Sequence, residues 1–294
     1  MKKNLLITVE YDGTGFSGWQ RQPGMRTVQG ELERVLSILC RQEIQIDGTG
    51  RTDAGVHALG QCATFSEDFG IPEDRLMTAA NDILAESRLK GGDVRITSVR
   101  CVPEDFHARF SAKGKRYIYK IFNGDDMPVF LRNYRYCIRK PLDVDAMASA
   151  LEAFRGTHDF AGFMAAGSNL KGSTVRTIFD VDLSVREAFQ PSADREALQP
   201  SGDREVDSPS ADREAAQTDA AGSDGRDIAR EIEIAVAGNG FLYNMVRIIA
   251  GTLVDVGLGK ISAKDIPEII ESCDRSSAGH TAPPQGLYMA EVFF

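Results

Sequence analysis

One stretch of the chain, Gly48-Thr-Gly-Arg-Thr-Asp-Ala-Gly-Val-His57, gathers three glycines, an arginine, a carboxylate and a histidine within ten residues. Glycine-rich loops often cradle phosphate with backbone N–H groups, but an aspartate at the centre of such a loop repels phosphate. Asp53 has the chemistry of a general base, a covalent nucleophile or a metal ligand. Metal ligation calls for companion acids or histidines, and His57 alone is close in sequence. A lone acid two residues after Arg51 fits a nucleophile or base better. An Asx-type turn, in which the carboxylate bonds its own backbone, is the simplest structural account of the same residues.

Three other segments carry chemical potential. Phe241-Leu-Tyr-Asn-Met-Val-Arg-Ile-Ile-Ala-Gly-Thr-Leu-Val-Asp-Val256 is apolar on nearly every side, so its Arg247 must be buried. A buried guanidinium is costly unless it meets a carboxylate. Asp255 would make the partner of a structural pair, whereas a functional acid elsewhere would be kept ionised by the arginine. Phe106 to Lys120 interleaves bases with aromatics. If Lys115 to Phe122 is a strand, Lys115, Tyr117 and Tyr119 share one face and Arg116, Ile118 and Lys120 the other. Such a wall offers a tyrosine to stack on a base and cations to take phosphates, although a solvated strand face explains each residue singly. Gly13-Thr-Gly-Phe-Ser-Gly18 matches G-x-G-x-x-G, but no helix begins before about Thr27, so the dinucleotide geometry is missing. On that long loop Trp19 and Arg21 could contact nucleic acid instead.

The elements that must position these residues can be read from periodicity. Residues 3–10 alternate like a strand. Thr27 caps a helix to about Cys40, with Val28, Leu32, Val35, Leu36 and Leu39 as its apolar stripe. Short strands are expected at 43–46 and 60–65, joined by the Asp53 segment. A helix from Pro72 to about Leu84 and strands at 93–102 and 115–122 follow. The later part reads as a helix at 142–154, strands at 175–185 and 231–237, helices at 241–256 and 263–272, and a last strand at 287–293. This is an α+β chain of two related ferredoxin-like halves, 1–104 and 105–294, sharing a mostly antiparallel sheet. Three near-copies of one heptad, PSADREA, PSGDREV and PSADREA, lie at 191–215 inside a low-complexity insertion at about 187–228. Without apolar positions they do not form a coiled coil, and they read as a mobile link in a hairpin.

Composition narrows the class. The five cysteines form no CxxC pair and are odd in number, which argues against a disulfide framework and a cysteine zinc site. No apolar run approaches a membrane span or a secretion signal, so a reducing cytoplasm is expected. The net charge of −9 misleads about partners. Residues 186–230 hold 11 acidic against 6 basic side chains, but residues 107–140 hold 9 basic against 2 acidic, the signature of a polyanionic partner.

Taken together, EYDGTGFSGWQRQ (10–22), TVQGELE (27–33), GRTDAGVHALGQ (50–61), DFHARFSAKGKRYIY (105–119), NGFLYNMVRIIAGTLVDVG (239–257) and GLYM (286–289) resemble the signature blocks of the tRNA pseudouridine synthase A family. They stand in family order across nearly the whole chain, and only the 187–228 insertion departs from the pattern. The resemblance implies an RRM-like pair of halves around a central catalytic cleft. It implies isomerisation of uridine to pseudouridine in the anticodon stem-loop of tRNA, at positions 38–40, by a homodimer without metal or organic cofactor. By resemblance, Asp53 is the essential aspartate, Tyr117 stacks on the target base and Arg247 pairs with the aspartate. Arg51 helps hold the flipped-out conformation, and Leu287 lines the uracil pocket.

Overall fold

Alternating and helical periodicities resolve into ten strands and five α-helices in the structure, a computed structural model that describes residues 3–67, 71–86, 92–167, 172–188 and 229–294. The order is β1 (Lys3–Tyr11), α1 (Val28–Cys40), β2 (Asp47–Gly48), β3 (His57–Glu67), α2 (Glu73–Ala85), β4 (Val94–Val102) and β5 (Gly114–Asn123). Then come β6 (Tyr136–Ile138), α3 (Val144–Glu152), β7 (Gly156–Asp159), β8 (Val175–Glu187), β9 (Arg230–Gly238), α4 (Met245–Gly257), α5 (Ile266–Ser272) and β10 (Leu287–Phe293). One mixed sheet runs β4-β1-β3-β10-β5-β9-β8-β7, with β2 on β3 and β6 on β5. Its pairs are antiparallel except β3–β10 and β5–β6.

Helices cover the sheet. Helix α2 packs on β4, α3 on β8 and α4 on β5, while α1 leans on α2 and α3 on α4. The Thr27 hydroxyl accepts from the Gly30 N–H and caps α1, whose Val28, Leu32, Val35 and Leu36 are buried. Helix α4 buries 12 of its 13 residues; the exception is Arg247, which was expected to be buried and keeps a 15 % exposed side chain.

Two expectations are corrected. Residues 43–46 are not a strand; Ile44 donates its N–H to the Ser37 hydroxyl and Ile46 donates to the Glu33 carboxylate, so α1 side chains take the bonds a sheet would supply. The helix expected from Phe241 begins at Met245, because Asn244 adopts a left-handed conformation that a right-handed helix cannot include. Strands β6 and β7 are too short for periodicity to reveal. The PSADREA heptads lie outside the described residues. At their borders β8 and β9 pair as far as Glu187 and Arg230, and the Ala188 N–H bonds the Ala229 carbonyl.

Candidate active site

The parallel β3–β10 junction is where the chemical segments meet. Only two residue pairs make it, Tyr288 with His57 and Met289 with Ala58. On its other side β10 pairs with β5, setting Leu287 opposite Tyr119 and Met289 opposite Tyr117. The Asp53 loop enters β3 at this junction, so the sheet register places loop, tyrosine strand and GLYM segment side by side.

Almost every backbone turn of the loop is clamped. The Gln61 amide, fully buried in β3, donates to the Gly50 carbonyl, and the Thr49 hydroxyl donates to its oxygen. The Lys115 ammonium donates to the Thr49 carbonyl at 2.7 Å. Burial, aided by repulsion from Arg109, pulls that ammonium down to about 8. The Tyr11 hydroxyl meets the Thr52 hydroxyl at 2.7 Å, and the Trp19 N–H donates to the Thr52 carbonyl at 3.0 Å. The Val56 N–H closes the turn on the Asp53 carbonyl. Sequence reasoning missed Tyr11, Gln61 and Lys115 in these roles. A buried-strand glutamine with no obvious partner was the available signal.

The G-x-G-x-x-G segment has a structural task. A side chain at Gly13 would collide with the Val56 carbonyl, and Gly18, at φ +89°, lies so close that a Cβ would sit 2.7 Å from the Thr52 carbonyl. These glycines let one loop lie backbone-to-backbone on the Asp53 loop. Trp19 is consequently buried at 2 % exposure, packed against Gly48 of the Asp53 loop, rather than presented on an open loop as expected. Arg21 pairs with Glu33 at 3.0 Å.

His57 secures the same contact. Its Nδ1 accepts from the Gly13 N–H at 3.0 Å and its Nε2 faces the Asn133 carbonyl at 2.9 Å, a pattern that only the neutral Nε2–H tautomer satisfies. The ring stacks on Tyr288, 4.7 Å between centroids. Burial lowers its pKa and outweighs the attraction of Asp12, whose carboxylate lies 3.3 Å away. Asp12 is itself resisted by burial, but hydrogen bonds from Thr14 and Tyr134 hold its carboxyl below the usual range.

Asp53 remains about one-third exposed and meets Arg247 across 194 residues of sequence: Arg247 Nη1 donates to its Oδ2 at 3.4 Å. Arg247 also donates from Nε to the Ala282 carbonyl at 2.7 Å and from Nη1 to the Asn244 side-chain oxygen at 2.8 Å. Asp255, the alternative partner, is occupied by Lys260 and His280. Tyr117 packs edge-on against Phe241, 5.1 Å between centroids. Burial, reinforced by the charges of Tyr11 and Asp53, pushes its phenol far above the ordinary range, so it stays neutral. Leu287 is buried on the face that Tyr117 and Tyr119 share, and Arg51 is exposed on the loop. Among the described residues no three His, Cys, Asp or Glu side chains converge as a metal site would require.

A partly exposed carboxylate beside a fixed cation, on a clamped loop, can act as a nucleophile or a general base. The family described as tRNA pseudouridine synthase matches this chain over residues 7–111 and 150–294. The chain belongs to that family. Asp53, Arg51, Arg247 and Leu287 fall inside the matched segments, and Tyr117 lies between them. Among curated relatives, the chain is 40% identical to proteins named tRNA pseudouridine synthase A from Caldicellulosiruptor bescii and Acetivibrio thermocellus, over 99% of this chain and 100% of each relative. It is 40% identical to a protein of the same name from Geobacillus sp., over 100% of this chain and 99% of the relative. The span matched by these relatives extends across the Tyr117 strand. No helix of the described residues is long and apolar enough to cross a membrane.

Proposed function

We propose that this protein isomerises uridine to pseudouridine in the anticodon stem-loop of tRNA, at positions 38–40, with Asp53 as the catalytic residue. The carrying observation is the Asp53–Arg247 contact: a carboxylate about one-third exposed, met by the one arginine of a largely apolar helix. The reaction breaks the N1–C1′ bond, so the uracil leaves as an anion. It turns and bonds C1′ through C5; C5 then loses its proton and N1 gains one, leaving an isomer. A carboxylate serves either route to detachment, by attacking C1′ or by taking the C2′ proton. A binding protein has no use for an acid facing phosphates, which weighs against a non-catalytic RNA chaperone.

Stacked uridine hides C1′ and C5, so the target must be flipped out. Tyr117 supplies the replacement stacking surface, worth about 1–3 kcal/mol. Arg51, exposed beside Asp53, stabilises the flipped conformation, and Leu287 lines the uracil site. Two related ferredoxin-like halves, 1–104 and 105–294, form the central cleft around these residues, and two copies of the chain hold one tRNA in the cytoplasm. The matching of the family in two segments and the basic run 107–140 support this reading. Asp53→Asn is the direct test. Pseudouridine formation on a transcribed anticodon stem-loop should fall to background while RNA affinity stays within a few-fold; substantial turnover by this variant removes the mechanism.

A further inference from the structure

We propose that Asn244 is a positioning residue for this reaction: its side-chain oxygen holds Arg247 so that the guanidinium touches Asp53 through one nitrogen instead of closing on it as a fork. The inference rests on the functional reading above and deepens it.

Asn244 occupies the N-cap position of α4 but does not behave as a cap. N-cap residues ordinarily take extended dihedrals and accept a hydrogen bond from the second or third helical N–H. Asn244 has φ 61° and ψ 7°, in the left-handed region, and its side chain makes no capping bond. Asn takes this left-handed conformation readily, and with no capping bond to make, its side chain is available for another partner. Its oxygen faces Arg247 Nη1 at 2.8 Å, one turn along the helix.

That nitrogen is the one that reaches Asp53 Oδ2, at 3.4 Å. The neutral amide therefore has the shorter bond and the carboxylate the longer. On the other side the Ala282 carbonyl takes Nε at 2.7 Å, and the Ala282 N–H returns a bond to the Arg247 carbonyl at 3.0 Å. Asp255 pins the preceding residues by accepting from His280, and Thr252 accepts from the Gly279 N–H at 2.9 Å. The guanidinium is thus fixed from two directions, neither of them Asp53. An unrestrained arginine meets a carboxylate with two parallel bonds of about 2.7–2.9 Å. Such a fork would engage both oxygens and blunt the carboxylate as nucleophile or base. The held geometry gives Asp53 a neighbouring positive charge and leaves it reactive.

The test compares single-turnover pseudouridine formation with RNA affinity on an anticodon stem-loop. Asn244→Gly keeps the left-handed backbone and removes the oxygen. Its rate constant should fall about tenfold, the scale of one charge-assisted hydrogen bond, while stem-loop Kd stays within twofold and Tm does not fall. Asn244→Asp keeps a short acceptor and adds a charge that competes with Asp53 for Arg247, and it should be at least as slow. A wild-type rate constant for Asn244→Gly overturns the proposal, because the residue would then serve the backbone alone. A loss in affinity equal to the loss in rate also overturns it, by making Asn244 a substrate contact. Failure of the functional reading is distinct: wild type would form no pseudouridine, or Asp53→Asn would remain active.

Discussion

Replacing Gly18 by alanine should slow the reaction although Gly18 touches no reacting atom. The Cβ would sit 2.7 Å from the Thr52 carbonyl oxygen and 3.2 Å from both the Asp53 carbonyl carbon and the Ala54 nitrogen. That is roughly half an ångström inside an ordinary carbon–oxygen contact of about 3.3 Å. The neighbour that must yield is backbone, directly before Asp53. Left-handed dihedrals add about 1–2 kcal/mol for a residue with a Cβ, and overpacking adds about 1–3 kcal/mol. A total of about 2–5 kcal/mol at about 2 °C per kcal/mol lowers Tm by about 4–10 °C. Because misplacement by about 1 Å costs about a hundredfold in rate, half of that should cost about tenfold. Gly24 provides a matched control. It lies in the same loop at φ +71° with nothing within 4 Å of its Cβ position. Gly24→Ala carries the backbone cost alone, about 2–4 °C, and should keep the wild-type rate constant. Single-turnover assays below both melting transitions make the comparison. Equal losses in the two variants, or a wild-type rate for Gly18→Ala, would refute the argument that this loop positions Asp53.

The remaining predictions concern other parts of the site. His57 is buried neutral, with its folded pKa below the ordinary value, so the unfolded chain binds the extra proton first. Its contribution is complete above about pH 6.5 and is lost as pH falls below that; urea unfolding at pH 7.5 and 5 should show the decline, and His57→Gln should flatten it while lowering stability at pH 7.5. Tyr117→Ala should reduce kcat/KM roughly 5–150-fold by removing a stack of about 1–3 kcal/mol, and Tyr117→Phe should restore most of it if the ring rather than the hydroxyl is used. Replacing residues 189–228 by Asn-Gly should leave Tm within a few degrees and stem-loop turnover unchanged, because Ala188 and Ala229 are already bonded across the strands. A large loss of turnover would give the insertion a part in catalysis.

Much of the fold was legible because its elements are periodic. The α1 stripe and Thr27 cap, the alternation of β1 and β5 and the apolar α4 are local patterns, and local patterns survive folding when tertiary packing agrees with them. Residues 43–46 failed as a strand because the competing hydrogen-bond partners, Ser37 and Glu33, stand on a helix that periodicity does not relate to them. Trp19 failed as a surface residue for a similar reason: the loop that buries it, beginning at Gly48, is distant in sequence.

The sequence by itself determined the reactive inventory: one acid in a glycine-rich turn, one arginine in a largely apolar helix and two tyrosines on one face of a basic strand, of which the family resemblance picked Tyr117. Burial arithmetic alone required Arg247 to find a carboxylate. Burial did not say which one; the family resemblance implied Asp53, and the tertiary structure brings the two together, turning Asp255 toward Lys260 and His280 and leaving Asp53 for Arg247. It also decided that Gly13 and Gly18 press on the Asp53 loop and that Asn244 shares the arginine. These are contacts between segments up to 194 residues apart. Composition and spacing specify which groups a chain carries, but the distance between two such groups is set by sheet register and packing, and distance is what makes a carboxylate reactive.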